Sequence, residues 1–200
     1  MRRFLCSLLL AVASLVTVNI ARSEDRATYT VIDKGAAQLR ADFNAAKGSV
    51  RALFVVDPVC PGCLRGLDDM NKDLLSKTND PRLQTFVVHV PVLTPPPKAK
   101  DVPKAAKLLR NDHVHHYWNP SGSFGEELSE GLGLKVDGED VYAWDVWLVY
   151  GPDAVWDGEQ PPKPDYFMHQ LWVLGVTDLP RLDSQVFAQR VHKLLATVRP

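Results

Sequence analysis

Cysteine is scarce in this chain, and its scarcity excludes one class of metal site. The sequence contains three cysteines: Cys6 near the N-terminus, and the CxxC pair Cys60 and Cys63. A structural zinc site built on this spacing normally uses a second CxxC pair. No cysteine follows Cys63, so a zinc site with four cysteine ligands is excluded.

An excess of basic residues is also missing. The chain has 23 Lys and Arg against 24 Asp and Glu, which gives a formal charge of −1. Nucleic acid is therefore not an expected partner, because binding to phosphates requires a basic surface. No internal repeat or linker divides the 200 residues, and their 46% hydrophobic content is sufficient for one core.

Long apolar runs are missing except at the N-terminus. There, an apolar run at residues 5–18 follows two arginines, and residues 21–23 (ARS) offer a small-x-small cleavage site. These are the features of a secretory signal peptide. We interpret residues 1–23, with Cys6, as the signal and residues 24–200 as one mature domain in the periplasm or another extracytoplasmic compartment. An uncleaved membrane anchor is the alternative.

Residues 54–63, FVVDPVCPGC, carry the clearest chemical signal in the sequence. An apolar strand enters a turn, and the apolar residues after Cys63 recur at helical spacing. This pattern puts Cys60 at the helix N-cap and Pro61 at the first helical position. The helix N–H groups and dipole then favour the Cys60 thiolate, and Cys63 lies one turn away, close enough for a disulfide. A thiol–disulfide couple is the leading interpretation; a structural disulfide and a metal site are the alternatives.

Hydrophobic periodicity predicts the remaining elements. It indicates strands at residues 29–32, 53–56, 84–92, 113–118, 144–150 and 154–156, the last two forming a β-hairpin. It indicates helices at residues 36–46, 60–75, 101–110, 124–132, 166–172 and 183–198. Alternation in the strand at 144–150 places Asp145 and Trp147 on one face and Trp144 on the other.

This order of elements, with two cysteines at the strand-to-helix turn, resembles the thioredoxin superfamily. Within it the chain is most similar to the exported thioredoxins of cytochrome maturation and to peroxiredoxin-like proteins. The resemblance covers roughly residues 29–156 in element order, and CPGC is its specific motif. It implies a three-layer α/β/α sandwich with a central mixed sheet. It also implies an extra strand and helix, matched by residues 115–134 (HHYWNPSGSFGEELSEGLGL).

The sequence departs from this family pattern at two positions. Thioredoxins carry a buried Asp six residues before the first cysteine, where this chain has Phe54. Asp57 is the nearest carboxylate that could move protons to or from Cys63. The cis-proline of the family falls on Trp144, give or take one residue, and no proline lies between Pro120 and Pro152.

The chemical hypotheses share one set of residues. In an exported thiol–disulfide oxidoreductase, Cys60 attacks and Cys63 resolves, with Pro61, Gly62, Asp57 and Trp144 in support and a protein thiol or disulfide as partner. No cofactor is expected. The first alternative is a Cu(I) or Zn(II) metallochaperone with Cys60, Cys63, His113 and His115 as ligands. The second is a thioredoxin-like interaction module without catalysis. The tryptophans could line a docking groove or belong to the core, and His89 is expected in the core.

Overall fold

The computed structural model describes residues 29–198, which form a six-stranded mixed sheet with helices on both faces. The strands are β1 (Thr30–Val31), β2 (Val50–Val56), β3 (Leu83–His89), β4 (Val114–Trp118), β7 (Val146–Tyr150) and β8 (Tyr166–His169), and a separate small hairpin is made by β5 (Lys135–Val136) and β6 (Glu139–Asp140). The helices are α1 (Ala37–Ala45), α2 (Pro61–Met70), α3 (Val102–Ala106), α4 (Ser123–Leu132) and α5 (Ser184–Leu195).

The strand order is β1-β4-β3-β2-β7-β8, with the first four strands parallel and β7 and β8 antiparallel to their neighbours. Strand β4 is inserted between β1 and β3, and α4 follows it directly. The predicted α/β class, the mixed sheet and the extra strand–helix unit are confirmed. The fold is thioredoxin-like.

Alternate residues of the central strand β2 divide the core into two layers. Leu53 and Val55 pack with α1 and α4 on one face, and Phe54 and Val56 pack with α2 and α5 on the other. All seven residues of β2 are buried, as expected for a strand covered on both faces. The helix that carries the cysteines therefore rests against a rigid central strand.

The hairpin prediction was wrong in its second strand. The partner of β7 is β8, whereas residues 154–156 form a loop. The backbone of Trp156 exchanges two hydrogen bonds with the side chain of Asn44, each 2.8 Å, so this loop satisfies its polar groups without strand pairing. The helix predicted at 166–172 is β8 followed by a 3-10 turn, Leu171–Leu174. Four residues of strand are too few for periodicity to separate the two states.

Two helix predictions were imprecise in extent, and a third was right about its N-cap. Helix α2 ends at Met70 and continues as a π-helical turn, Asn71–Leu75. The helix predicted at 101–110 is a 3-10 turn, Ala99–Asp101, followed by α3. The last helix has the predicted N-cap, because the Asp183 side chain accepts a hydrogen bond from the N–H of Val186 at 2.9 Å.

Candidate active site

The turn between β2 and α2 is fixed by Asp57. Its carboxylate is fully buried and accepts hydrogen bonds from the backbone N–H groups of Val59 (2.8 Å), Val92 (2.8 Å) and Leu93 (2.9 Å). These bonds tie the turn before Cys60 to the segment that follows β3. Both carboxylate oxygens are thus engaged by backbone donors, which gives Asp57 a structural role in this turn; its proton-carrying role stays a prediction.

Cys60 is the N-cap of α2, as the sequence predicts. Its backbone is extended (φ −69°, ψ 119°), and its Sγ accepts a hydrogen bond from the N–H of Cys63 at 3.4 Å. Pro61 occupies the first helical position, where its missing N–H leaves no helix bond unmade. The pKa of Cys60 is lowered to about 6 by the Cys63 thiol and by the backbone N–H groups of Cys63 and Gly62. Burial and the charge of Asp57 act in the opposite direction. Cys60 is therefore mostly a thiolate at neutral pH.

Cys63 has the opposite character. Burial raises the pKa of its thiol far above the ordinary value, and the hydrogen bond to Cys60 and the charge of Asp145 act in the same direction. Cys63 is 0% exposed, whereas Cys60 is 8% exposed. Both thiols are free in this structure. The pair thus consists of one slightly exposed thiolate and one fully buried, protonated thiol.

Asp145 completes the site, and the sequence analysis did not identify it as a site residue. It is the residue before β7, it adopts a left-handed backbone conformation (φ 49°), and it is 3% exposed. One carboxylate oxygen and the two cysteine Sγ atoms all lie within 4.8 Å of one another. Burial and the charge of Cys60 raise the pKa of Asp145 to about 7, while a hydrogen bond from Cys63 and the charge of Arg65 oppose the shift.

Two sequence features could have identified Asp145. It lies within one residue of the position assigned to the missing cis-proline, and strand alternation places it on the same face as Trp147. That face packs on the cysteine helix, since Trp147 shares a core cluster with Cys60 and Cys63. An acidic residue at the start of a buried strand is unusual unless it has a partner.

The other residues predicted to support the site lie at different depths. Gly62 faces the site: a Cβ there would lie 3.7 Å from Cys60 Sγ, 3.7 Å from Asp145 Oδ2 and 3.8 Å from Gln170 Oε1. Trp144 is partly buried and packs against both core clusters. A surface groove of about 440 Å³ begins at Gly62 and has Arg65 and Gln170 in its walls.

The other tryptophans divide between core and surface. Trp147 and Trp156 are buried, at 2% and 1% exposure, whereas Trp172 is 46% exposed. The core interpretation therefore holds for Trp147 and Trp156. Strand alternation is also confirmed, because Val146 and Leu148 enter the core layer opposite that of Trp147.

The histidine ligands suggested by the sequence do not lie beside the cysteines, because the register of β4 places them further back along the sheet. His115 pairs with Phe86, which pairs with Leu53 in the middle of β2, whereas the cysteines follow the end of that strand. His115 stacks on Phe86 with ring centroids 5.4 Å apart. Both His113 and His115 approach the Gln84 side chain, at 3.4 and 3.3 Å.

His89 is in the core, as expected. Its Nε2 lies 3.2 Å from Nδ1 of His116, and both side chains are buried. Burial is the main cause that lowers the pKa of each, so both imidazoles are neutral at physiological pH. Within residues 29–198, the potential metal donors that converge are Cys60, Cys63 and Asp145, without a histidine.

The strand order, with a CxxC turn after β2, makes the fold thioredoxin-like. Similar solved structures include a candidate protein disulfide isomerase from Bacteroides thetaiotaomicron, with a TM-score of 0.45 and 11% identity over 77% of this chain and 78% of that chain. They also include the exposed lipoprotein thioredoxin Etrx1 of Streptococcus pneumoniae, with a TM-score of 0.42 and 15% identity over 75% and 88% of the two chains.

A third similar structure is BsSco, a member of the Sco family of cytochrome c oxidase assembly proteins in which a disulfide switch was identified. Its TM-score is 0.44, with 20% identity over 78% of this chain and 84% of that chain. No protein-family model and no curated protein matches the sequence. In the part of the chain that the structure describes, no helix is long and apolar enough to cross a bilayer.

Proposed function

We propose that this protein is an exported thiol–disulfide oxidoreductase that exchanges disulfides with a protein partner. The observation that carries the proposal is the asymmetry of the two thiols. Cys60 accepts N–H and S–H hydrogen bonds at a helix N-terminus and has a pKa of about 6, while Cys63 is buried and protonated. An attacking thiolate beside a protected second thiol is the arrangement that stepwise disulfide exchange requires.

The exchange conserves atoms and electrons without a cofactor. The Cys60 thiolate attacks one sulfur of the partner disulfide, the partner S–S bond breaks, and the released sulfur leaves as a thiolate that takes a proton from water. The Cys63 sulfur then attacks Cys60 Sγ and releases the second partner sulfur. The protein dithiol is oxidised to the Cys60–Cys63 disulfide, and the partner disulfide is reduced to two thiols. The reverse sequence oxidises a partner dithiol.

The metallochaperone alternative is less well supported. It relied on His113 and His115 to complete a ligand shell, and these residues lie away from the thiols. In the proposed function Cys60 and Cys63 react as sulfur nucleophiles and are not metal ligands. A non-catalytic interaction module remains an alternative, and it predicts thiols that do not exchange.

Trapping the covalent intermediate tests the function directly. Purified, reduced Cys63→Ser protein mixed with glutathione disulfide is expected to accumulate glutathione on Cys60, detected by mass spectrometry, because no resolving thiol remains. The matched Cys60→Ser variant is expected to stay unmodified, since its remaining thiol is buried and protonated. If Cys63→Ser captures no glutathione, or Cys60→Ser captures as much, the proposed exchange does not occur as described.

Export is the second part of the proposal. It is supported by the charged, apolar and small-residue segments of residues 1–23, which lie outside the described residues. We propose that a single domain spanning residues 24–200 is released after cleavage. N-terminal sequencing of exported protein should then give a start near Glu24, whereas a start at Met1 would indicate a retained membrane anchor.

A further inference from the structure

We propose that the Asp145 carboxylate accepts the proton of the Cys63 thiol when Cys63 resolves the mixed disulfide, and returns it in the reverse reaction. This inference rests on the proposed function. It assigns a catalytic role to a residue within one position of the family's cis-proline. In this chain the position of the family's buried Asp is occupied by Phe54, which has no proton to exchange.

The backbone holds Asp145 firmly at the site. Its C=O accepts the N–H of Gln170 at 3.1 Å, and the next residue, Val146, pairs with His169 in the sheet. The left-handed backbone at Asp145 (φ 49°) is a conformation that residues other than glycine rarely adopt. Such strained positions persist where the surrounding structure determines them, and they concentrate at functional sites.

The side chain of Asp145 is buried without a full set of partners. Asp145 is 3% exposed, and its Oδ1 has no hydrogen-bond partner among the described residues. One of its carboxylate oxygens lies within 4.8 Å of both sulfurs. A buried carboxylate normally has its acceptors satisfied. A buried carboxylate with spare acceptor capacity, close to a buried S–H group, is the feature that a proton-transfer pair requires.

The chemistry of resolution needs such an acceptor. Cys63 can attack only as a thiolate, and burial keeps its thiol protonated, with little access to water. In the proposed step the S–H bond of Cys63 breaks and an O–H bond forms on Asp145, while the electron pair stays on sulfur and attacks Cys60 Sγ. The bond between Cys60 and the partner sulfur breaks, and that sulfur departs with its electron pair and is protonated by water or by Asp145.

The charges around Asp145 favour this order of events. In the reduced protein Asp145 faces the Cys60 thiolate, the Cys63 thiol and Arg65, all from α2, and Asp57 faces Cys60 from the preceding turn. When Cys60 enters a mixed disulfide its negative charge disappears. The Asp145 anion then faces Cys63 and Arg65, which is the state in which it can take a proton from a neighbouring thiol.

The test separates the two steps of the exchange. Reduced protein is mixed rapidly with glutathione disulfide, quenched in acid at intervals, and analysed by mass spectrometry for glutathione on Cys60 and for the Cys60–Cys63 disulfide. In Asp145→Asn the first step should be unchanged or faster, because a negative charge near Cys60 is removed. Resolution should slow roughly 10²- to 10³-fold at pH 7, the range for loss of a general base.

The pH profile distinguishes proton transfer from a structural role. Wild-type resolution should rise with pH and level off at or below neutrality, because loss of the Cys60 charge in the mixed disulfide removes one of the causes that raise the pKa of Asp145. Asp145→Asn should instead keep rising about tenfold per pH unit into the alkaline range, as expected for proton removal by hydroxide. Asp145→Glu should restore a levelling profile. Asp68→Asn, on the exposed side of the same helix and paired with Lys72, is the matched control and should behave as wild type.

Two failures can be told apart. If no variant forms the mixed disulfide at Cys60, the proposed function fails. If the mixed disulfide forms and Asp145→Asn resolves it at the wild-type rate with the wild-type pH profile, only the role of Asp145 fails. Should circular dichroism show that Asp145→Asn does not fold, Asp145→Glu and wild type still decide: if the resolution rate levels off in neither protein at or below neutral pH, the proposal is overturned.

Discussion

Gly66 and Trp147 are in direct contact where the cysteine helix crosses the sheet. A Cβ at position 66 would lie 2.8 Å from Cζ2 of the Trp147 indole, closer than real Cβ contacts allow. Trp147 cannot easily move, because its ring packs edge-on against Phe54 at 5.9 Å and against Phe187 at 5.7 Å. The glycine therefore lets α2 approach β7 closely. Since Cys63 lies on α2 and Asp145 directly precedes β7, this contact also helps to set the distance between them.

Gly66→Ala should destabilise the protein. Alanine normally gains about 0.5–1 kcal/mol over glycine inside a helix, but here the added methyl forces the helix or the indole to shift, which costs about 1–3 kcal/mol in packed cores. We expect a net loss of roughly 1–2 kcal/mol in the free energy of unfolding, measured by urea denaturation.

Gly131→Ala provides the control for Gly66→Ala. Gly131 also lies in a helix, α4, but a Cβ there would meet its nearest neighbour, Gln160 Cβ, at an ordinary 3.6 Å. This variant should be neutral or gain up to about 1 kcal/mol. Equal effects of the two substitutions would contradict the packing assigned to Gly66.

Asp57→Asn should reduce stability while leaving the Cys60 thiol reactive. The amide can accept with one oxygen only, so at least one of the three N–H groups at Val59, Val92 and Leu93 loses its partner. The loss should be about 2 kcal/mol in the free energy of unfolding. Cys60 should alkylate at least as readily as in wild type, because the Asp57 charge raises its pKa.

A different result for Asp57→Asn would contradict the roles assigned to Asp57 and Asp145. Wild-type stability together with slow resolution of a mixed disulfide would make Asp57, rather than Asp145, the group that moves the proton. The urea denaturation and the acid-quench experiment on one protein preparation decide between the two residues.

Alkylation of the reduced protein should follow the ionisation of Cys60. With limiting iodoacetamide, the labelling rate of Cys60 should be half-maximal near pH 6 and fall as the pH drops below it, because the thiol is then protonated. Cys63 should stay unlabelled up to at least pH 8, since burial raises its pKa. In Cys63→Ser a hydroxyl O–H replaces the thiol S–H as the hydrogen-bond donor to Cys60, so Cys60 should remain reactive.

Peptide mapping identifies which cysteine carries the label. A half-maximal rate near pH 9, the ordinary value for a thiol, would mean that the helix N-terminus does not stabilise the thiolate. Preferential labelling of Cys63 would reverse the assignment of the two roles.

The parts of the site that are local in sequence could be predicted from it. The strand, the turn, Pro61 and the following helix place Cys60 at an N-cap by short-range rules alone. The same holds for the Asp183 cap and for the alternation of β7. The element order was sufficient for the thioredoxin-like fold, because few topologies accommodate it.

The parts that depend on long-range register could not be predicted. Asp145 meets Cys63 only because β7 pairs with β2 and packs under α2. His113 and His115 are suitable ligands as residue types, but the register of β4 on β3 places them away from the two thiols. Asp57 is the nearest carboxylate in sequence, yet backbone N–H groups of its own turn and of the segment after β3 occupy its two oxygens.

The most direct measurement of the central claim is a redox titration of the purified protein in glutathione buffers of graded potential. After acid quench and alkylation, mass spectrometry counts free thiols at Cys60 and Cys63. We predict one reversible two-electron transition in which both thiols are lost together to an intramolecular disulfide, and its absence in Cys63→Ser. Thiols that stay free in the most oxidising buffer, or that form only disulfides between chains, would contradict the account.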